Sequence, residues 1–579
     1  MFSKYFQLAA IFFCLNYLSV AQDKNNFPDN STLDFTSSNL PIIVINTGGQ
    51  TIPDDHKITA DMGIIYNGEG VRNNITDPFN NYNGKIGIEI RGSSSQMFPK
   101  KQYAVETRDS LGEDLKVSVL GFPEESDWVL YAPYNDKSLV RDVIAYKLVN
   151  EMGWYASRTK FCELVLNGDY RGIYVLLEKI KRDANRVDIK KLEPADSTGD
   201  ELTGGYIIKI DKPDGEGNEG WTSVIPPHNN AWQRIEYQYH YPKPDDMTTV
   251  QKNYIKDFIF DFEAAMYSIH FADSLLGYPH FLDVNSYIDY FILNETVKNV
   301  DTYRLSAFMY KDRDSRNPKM FMGPVWDYNI SMGNGDYYDV AVTSGYMFQT
   351  FETDYEFLNE EIWVMPFWWK KLIYHQSFAD KVHARWNELK NTVFNTNHVF
   401  HYIDSLVTYL NESQIRNYQR WPILGVYVWP NAYVGQTYND EVNYLKQWLT
   451  SRFIWLNQNM IGNPTDVVDV NTIVTDFSLE QNYPNPFNPT TKIKFIVGDA
   501  YYASPVHVTL RVYDILGNQI TTLVNEEKSP GTYEVEFNTQ DHSSAPGGLS
   551  GINNLASGIY YYRLQAGSFT ETKKMILIK

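Results

Sequence analysis

Residues 160–180, KFCELVLNGDYRGIYVLLEKI, set two apolar runs on either side of Asn167-Gly168. An Asn-Gly pair between such runs favours a type I′ turn, because both central positions need positive φ. A two-residue turn of this kind fixes the register of an antiparallel hairpin, so this stretch has little freedom to fold otherwise. Its second strand ends in Glu178-Lys179. Upstream, PIIVINTGG starts a strand pattern at Pro41, and GKIGIEIRG, 84–92, alternates Ile86, Ile88 and Ile90 on one face. A small-residue loop, Gly92-Ser93-Ser94-Ser95, leads into a second alternating segment, KKQYAVETRD, 100–109.

Helical patterns follow. SLVRDVIAYKLVNEMG, 138–153, carries the stripe Val140, Val143, Ile144 and Leu148, with Ser138 as the expected cap and Gly153 at C′. Residues 250–270 and 283–298 also read as helices, the latter with Asp283 at its N-cap. RLSAFMYKD, 304–312, and KMFMGPVWD, 319–327, then form a predicted hairpin, and helical patterns rich in Trp and Tyr run to about residue 460. Composition shifts at residue 462, and from 490 short alternating strands recur, the pattern of a small β-sandwich. The expected class is α+β. The expected divisions are a signal peptide over 1–21, a linker over 22–40, a main domain over 41–460, a linker over 461–488 and a sandwich over 489–579.

The first 21 residues predict a secretory signal: Lys4, the apolar stretch 8–18, then Ser19-Val20-Ala21 before Gln22. No other stretch approaches the length of a membrane-spanning helix. Cys14 leaves with that segment, so Cys162 has no intramolecular disulfide partner. A net charge of −20 argues against a general binder of nucleic acid or anionic membrane, whose affinity needs a positive surface. No HExxH, CxxC or GxSxG motif is present, which removes the sequence basis for zinc protease, redox and serine esterase chemistry.

The chemistry concentrates at Asp327, which follows Trp326 at the end of an apolar strand. A buried carboxylate needs a cation or a set of donors. Asp301 stands at the other end of the same predicted hairpin, so the fold-back brings the two acids together. Two close carboxylates repel unless a divalent cation or shared proton intervenes, and Mg²⁺ is usually held by one or two carboxylates plus nucleotide oxygens. Helix, loop with Asp, hairpin, Asp at its exit is also the order in protein kinases, although neither HRD nor DFG occurs here. Asp301 suits a proton acceptor, and Asn329 offers an amide oxygen to the cation. Arg91, Lys100 and Lys101 beside the Gly/Ser loop are the expected phosphate-side cations. The competing readings are a turn cap for Asp301, an ion pair of Asp327 with Arg304 or Lys319, and solvated strand-end charges for the cations.

GIEIRGSSSQMFPKKQYAVET, ESDWVLYAPYNDKSLVRDVIAYKL, RTKFCELVLNGDYRGIYVLLEKIKRDANRVDI and KMFMGPVWDYN together resemble the CotH kinase family, the spore coat protein H group, over roughly residues 40–340. The resemblance implies a diverged, two-lobed protein-kinase-like fold, ATP with Mg²⁺ or Mn²⁺, and transfer to Ser or Thr hydroxyls of secreted or surface proteins. It implies Asp301 as the catalytic-loop Asp and Asp327 as the metal Asp, with Arg91, Lys100, Glu178 and Lys179 in nucleotide-side motifs. Asn329 departs from the family's WDxD pattern and lacks a charge, which leaves open a catalytically inactive surface binding protein; separately, a diverged kinase fold does not fix which phosphate is attacked, which leaves open transfer of AMP. FSLEQNYPNPFNPTTKIKF, VYDILGNQI, LASGIYYYRLQAG and KKMILIK resemble the type A sorting domain of the type IX secretion system. That second resemblance implies an immunoglobulin-like sandwich, the secretion machinery as a partner, and a secreted or cell-surface location.

Overall fold

A computed structural model of the protein describes residues 33–213, 219–228, 231–462, 477–497, 506–528, 531–539, 555–567 and 569–579. The expected signal segment lies outside them. The described residues form two compact units: those up to 266, with 270–367 and 384–460, in the first, and 267–269, 368–383 and those from 461 in the second.

The first unit opens with a closed barrel of seven strands: β1 (Ile42–Asn46), β2 (Ile58–Ile65), β3 (Tyr82–Arg91), β4 (Gln102–Arg108), β5 (Asp127–Tyr131), β6 (Thr159–Leu166) and β7 (Asp169–Glu178). The order is β1-β2-β3-β4-β5-β7-β6, and β6 closes the ring by pairing parallel to β1, with Ile42 opposite Glu163. The Asn-Gly turn joins β6 to β7 as expected: Asn167 has φ 53° and Gly168 φ 79°. Ile86 and Ile88 of β3 are fully buried in a core shared with Ile43, Val105, Leu130 and Leu164. Each such side chain contributes about 1.5–3 kcal/mol by leaving water. Cys162 lies in the same core, and burial pushes its thiol well up, which keeps it protonated.

Helix α1 (Arg141–Glu151) crosses between β5 and β6. Its start differs from the expectation. Ser138 does not cap it; Asp136 does, by accepting the Arg141 N–H at 2.9 Å and pairing with the Arg141 guanidinium. Its end agrees. Gly153 takes φ 99°, and the bonds Gly153 N–H to Asn150 O and Trp154 N–H to Val149 O form a Schellman motif.

A five-stranded antiparallel sheet follows, from β8 (Tyr206–Ile210), β9 (Gly220–Thr222), β10 (Glu236–Tyr241), β11 (Ala307–Lys311) and β12 (Met320–Met322), in the order β9-β10-β8-β11-β12. Between β10 and β11 run α2 (Thr249–Tyr267) and α3 (Val284–Val297), the second capped by Asp283 through the Ser286 N–H at 2.9 Å. The predicted hairpin is shorter than its sequence pattern. Tyr303 and Ser306 have positive φ, 69° and 47°, so the chain becomes extended only at Ala307. The return strand stops at Gly323-Pro324, where φ is 120° at the glycine and the proline has no N–H for the ladder. Helices α4 (Thr396–Tyr409), α5 (Asn411–Arg420) and α6 (Tyr438–Asn459) complete this unit.

Residues 33–40, expected as linker, instead pack on the barrel unit: Ser37 and Ser38 pair with Asn73 and Asn74, and Leu40 is fully buried. In the C-terminal unit β13 (Ser478–Leu479), β14 (Thr490–Val497) and β17 (Gly531–Asn538) form one sheet. The other contains β15 (Val506–Tyr513), β16 (Gln519–Lys528), β18 (Gly558–Ala566) and β19 (Phe569–Leu577). One core joins them and includes Leu479 and Phe487. The sandwich therefore begins by residue 478, within the segment expected as linker. No helix among the described residues is long and apolar enough to cross a membrane.

Candidate active site

The barrel-side helix α1, the loop after α3 and the exit of β12 each carry a carboxylate, and those of Asp142 and Asp301 bear on Asp327. Asn299 joins two of these elements: its Oδ1 accepts the Asp301 N–H at 3.3 Å, and its Nδ2 donates to the Asp327 carbonyl at 3.2 Å. The Val300 N–H adds a bond to the Ile330 carbonyl at 3.2 Å. The fold-back thus fixes the loop of Asp301 against the segment of Asp327, as the hairpin order predicts. Asp327 itself has φ 67°, a left-handed conformation held by these bonds and by its own N–H, which donates to the Tyr146 hydroxyl at 3.2 Å.

The third carboxylate, Asp142, was missed in the sequence. It lies in the first turn of α1, is buried, and accepts the Tyr328 N–H at 2.8 Å through Oδ1. The Tyr131 and Tyr146 hydroxyls stand beside it and favour its ionised form, yet Oδ2 receives no hydrogen bond of good geometry. Burial pushes the Asp142 carboxyl up to about 6. Burial, and then the charges of Asp142 and Asp301, push Asp327 up to about 7, while Arg91 pulls it down. Burial also raises Asp301, opposed by Arg304 and Lys212. Crowded acids that resist ionisation are the electrostatic signature of a place for positive charge.

Arg91, at the end of β3, lies with its guanidinium 5.2 Å from the Trp326 ring centre. It is the cation whose charge bears on Asp327. Lys179 lies within the field of Arg91, Lys57 and Lys243, and burial lowers it from its ordinary value. Lys209, Lys179 and Lys243 all bear on His240, which burial holds down at about 3 and therefore neutral. Arg91 and Lys212 thus bear on the site carboxylates, while Lys179, Lys209 and Lys243 gather around His240. Lys209, Lys212 and Lys243 were not singled out in the sequence, since single lysines at strand ends carry no pattern.

Three of the residues expected on the nucleotide side serve other ends. Lys100 is buried and donates to the Ile173 carbonyl at 2.6 Å and to Asn417 Oδ1 at 2.9 Å, joining β7 to α5. The Lys101 ammonium bonds the Gln96 carbonyl. Glu178 is buried and pairs with Arg158 at 2.6 Å and Arg186 at 3.5 Å. Lys100 and Glu178 are enclosed by protein and do not face Asp327. Asn329 donates through Nδ2 to Asn135 Oδ1 at 3.0 Å, which leaves its own Oδ1 unspent.

Asp301 is partly exposed and has Arg304 at 3.4 Å, a long contact. Arg304 is itself buried, bonded to the Val300 and Trp363 carbonyls at 3.1 Å. Among the described residues no three His, Cys, Asp or Glu side chains converge as a ready-made metal cage. The donor set still fits a hard divalent cation: a buried carboxylate with an unsatisfied oxygen, Asp142, a half-buried one, Asp327, and an amide oxygen nearby, the remainder to come from phosphate and water.

No curated protein matches the chain. Among solved structures, dimeric latent PorU from Porphyromonas gingivalis matches at 16% identity with a TM-score of 0.14, over 18% of this chain and 10% of that one. A likeness so short bears on neither fold nor function. Residues 88–456 match the family model described as CotH kinase protein, and that span contains every acid and cation of the site except Lys57. With more than half of its 579 residues inside that model, this chain belongs to the CotH kinase protein family.

Proposed function

We propose that the protein is a secreted, metal-dependent phosphotransferase of the CotH type, which moves the γ-phosphoryl group of ATP to a Ser or Thr hydroxyl of a secreted or surface protein. The observation that carries this reading is the meeting of Asp142, Asp327 and Asp301, clamped by Asn299 and edged by Arg91. Asp327 and Asp142 are the side chains to hold Mg²⁺ or Mn²⁺, with Asn329 Oδ1 as a neutral donor. The cation, when bound, offsets the charge of the phosphates. Arg91 and Lys179 orient the phosphates from the barrel side, and Lys212 and Lys243 from the second sheet. Asp301 accepts the proton of the acceptor hydroxyl as its oxygen bonds to the γ-phosphorus; the bond to the β-phosphate oxygen breaks and ADP leaves. The barrel followed by a sheet-and-helix half is in keeping with a two-lobed kinase-like plan.

The sorting-domain motifs over residues 477–579 and the signal-like first 21 residues support export through the type IX machinery. A second reading, nucleotide binding without transfer, is favoured by the contact of Arg304 with Asp301 at 3.4 Å. Incubating the purified protein with ATP, Mn²⁺ and surface extract, then weighing the products, decides between them. A gain of one phosphate supports phosphoryl transfer, a gain of a nucleotide supports AMP transfer, and saturable ATP binding with no product supports the second reading.

A further inference from the structure

A cavity of about 210 Å³ lies behind the carboxylates. It is walled by the C-terminal end of α1 (Val149, Met152), the middle of α3 (Tyr290, Leu293), and the segment Gly323–Val325 that runs directly into Trp326-Asp327. None of Arg91, Asp142, Asp301, Asp327 and Asn329 lines it.

Its chemistry selects a ligand. Most polar groups in the wall are already engaged, Asp188 among them through Arg316 at 3.1 Å. Asp289 accepts from Trp154 Nε1 at 2.7 Å and from Arg385 at 2.8 and 3.0 Å. Ser286 donates to the Asp283 carbonyl and accepts the Met322 N–H. Tyr155 and Arg186 both spend their donors on Glu178 or on carbonyl oxygens. The larger part of what faces the space is aliphatic and aromatic surface, with Trp154, Tyr155, Tyr290 and Tyr310 among its walls. A charged ligand would lose its hydration there while the wall's own ionic groups, Asp188, Asp289 and Arg186, are already paired. An apolar cavity of about 150 Å³ already admits benzene, so the larger space here has room for two fused rings.

Its position links it to the site. Asp142, Tyr146 and Val149 fall at i, i+4 and i+7 on α1, one face of the helix, with the site at one end and the cavity at the other. Val187, also in the wall, packs in the same apolar cluster as Trp326. Anything that fills the cavity presses on both elements that carry the cation-binding acids.

We propose that this cavity is a binding site for an uncharged, flat aromatic molecule, separate from the nucleotide site, and that its occupancy changes nucleotide affinity at Asp142 and Asp327. The binding half stands without the kinase reading; the coupling half rests on it. The test uses the full chain, with indole as probe, in calorimetric titrations with and without ATP and Mn²⁺. The variants are Val149→Phe and Leu293→Phe, which fill the space from different helices, so that one folded variant suffices. The expected result is saturable indole binding, lost in the filled variant, and a shift in ATP affinity of about fivefold at saturating indole. No saturable binding up to the solubility limit, or binding retained in a folded filled variant, overturns the site. Direct competition between ATP and indole overturns its separateness. Unchanged ATP affinity overturns the coupling. If ATP does not bind at all while indole does, the coupling falls with the kinase reading and the pocket stands.

Discussion

Asp301 and Asp142 are both raised by burial, but the site gives them different work. Asp301→Ala is expected to leave ATP and Mn²⁺ binding intact and to abolish product formation in a transfer assay. Asp142→Asn should weaken Mn²⁺ affinity roughly tenfold or more while the circular dichroism spectrum is unchanged. The pH dependence follows from the same burial. Asp142 and Asp327 ionise near pH 6 and 7 in the folded chain, against an ordinary 3.8, so the folded state holds protons that the unfolded chain has released. Their contribution to stability is full below about pH 4 and is lost as pH rises through 6 to 7 in metal-free protein. Melting temperature measured across that window should fall without Mn²⁺, and the fall should shrink in Asp327→Asn. Asp301 and Asp327 were legible in the sequence because a carboxylate at the end of an apolar strand is costly and therefore conspicuous. Asp142 was not, since an acid in the first turn of a helix is ordinary and stabilised there by the helix dipole. Only the fold shows that it faces Asp327 rather than solvent.

Lys100 shows what a strand pattern leaves out. A lysine opening an alternating segment reads as a surface cation, but its environment is set by Asn417, which lies 317 positions away. Lys100→Met removes the donor to two buried acceptors and should cost about 1–3 kcal/mol in chemical denaturation, with ATP affinity unchanged. A large loss of ATP affinity in a folded Lys100→Met protein would return this residue to the nucleotide site. Gly172 belongs to the same junction. It has φ 88°, and a Cβ there would stand 2.5 Å from Asn417 Oδ1. The hairpin of β6 and β7, the caps at Asp283 and Gly153 and the strand β3 were all readable, because turn chemistry and periodicity are local. Closure of the barrel was not, because it depends on a parallel pairing between Ile42–Ile45 and Glu163–Leu166. The shortening of the β11–β12 hairpin was hidden for another reason: positive φ at Tyr303 and Ser306 is imposed by the fold on residues that do not advertise it.

For the molecule as a whole, every acid and cation of the candidate site belongs to the first compact unit. A chain ending at residue 462 is therefore expected to bind ATP and Mn²⁺ as the full chain does; loss of binding in a folded truncated protein would give the sandwich a catalytic role. Residues 461–488 read as a linker from their loop-like composition, although Leu479 and Phe487 are core residues of the sandwich. The α+β class was visible from the succession of periods along the chain, whereas which acids meet is a property of the packed fold. Titration of Mn²⁺ into the full chain, in the presence of a non-hydrolysable ATP analogue, asks the central question directly. Wild-type protein should bind one or two ions with the nucleotide, and Asp327→Ala should lose them. Equal Mn²⁺ affinity in wild type and a folded Asp327→Ala protein would show that these carboxylates do not hold the ion.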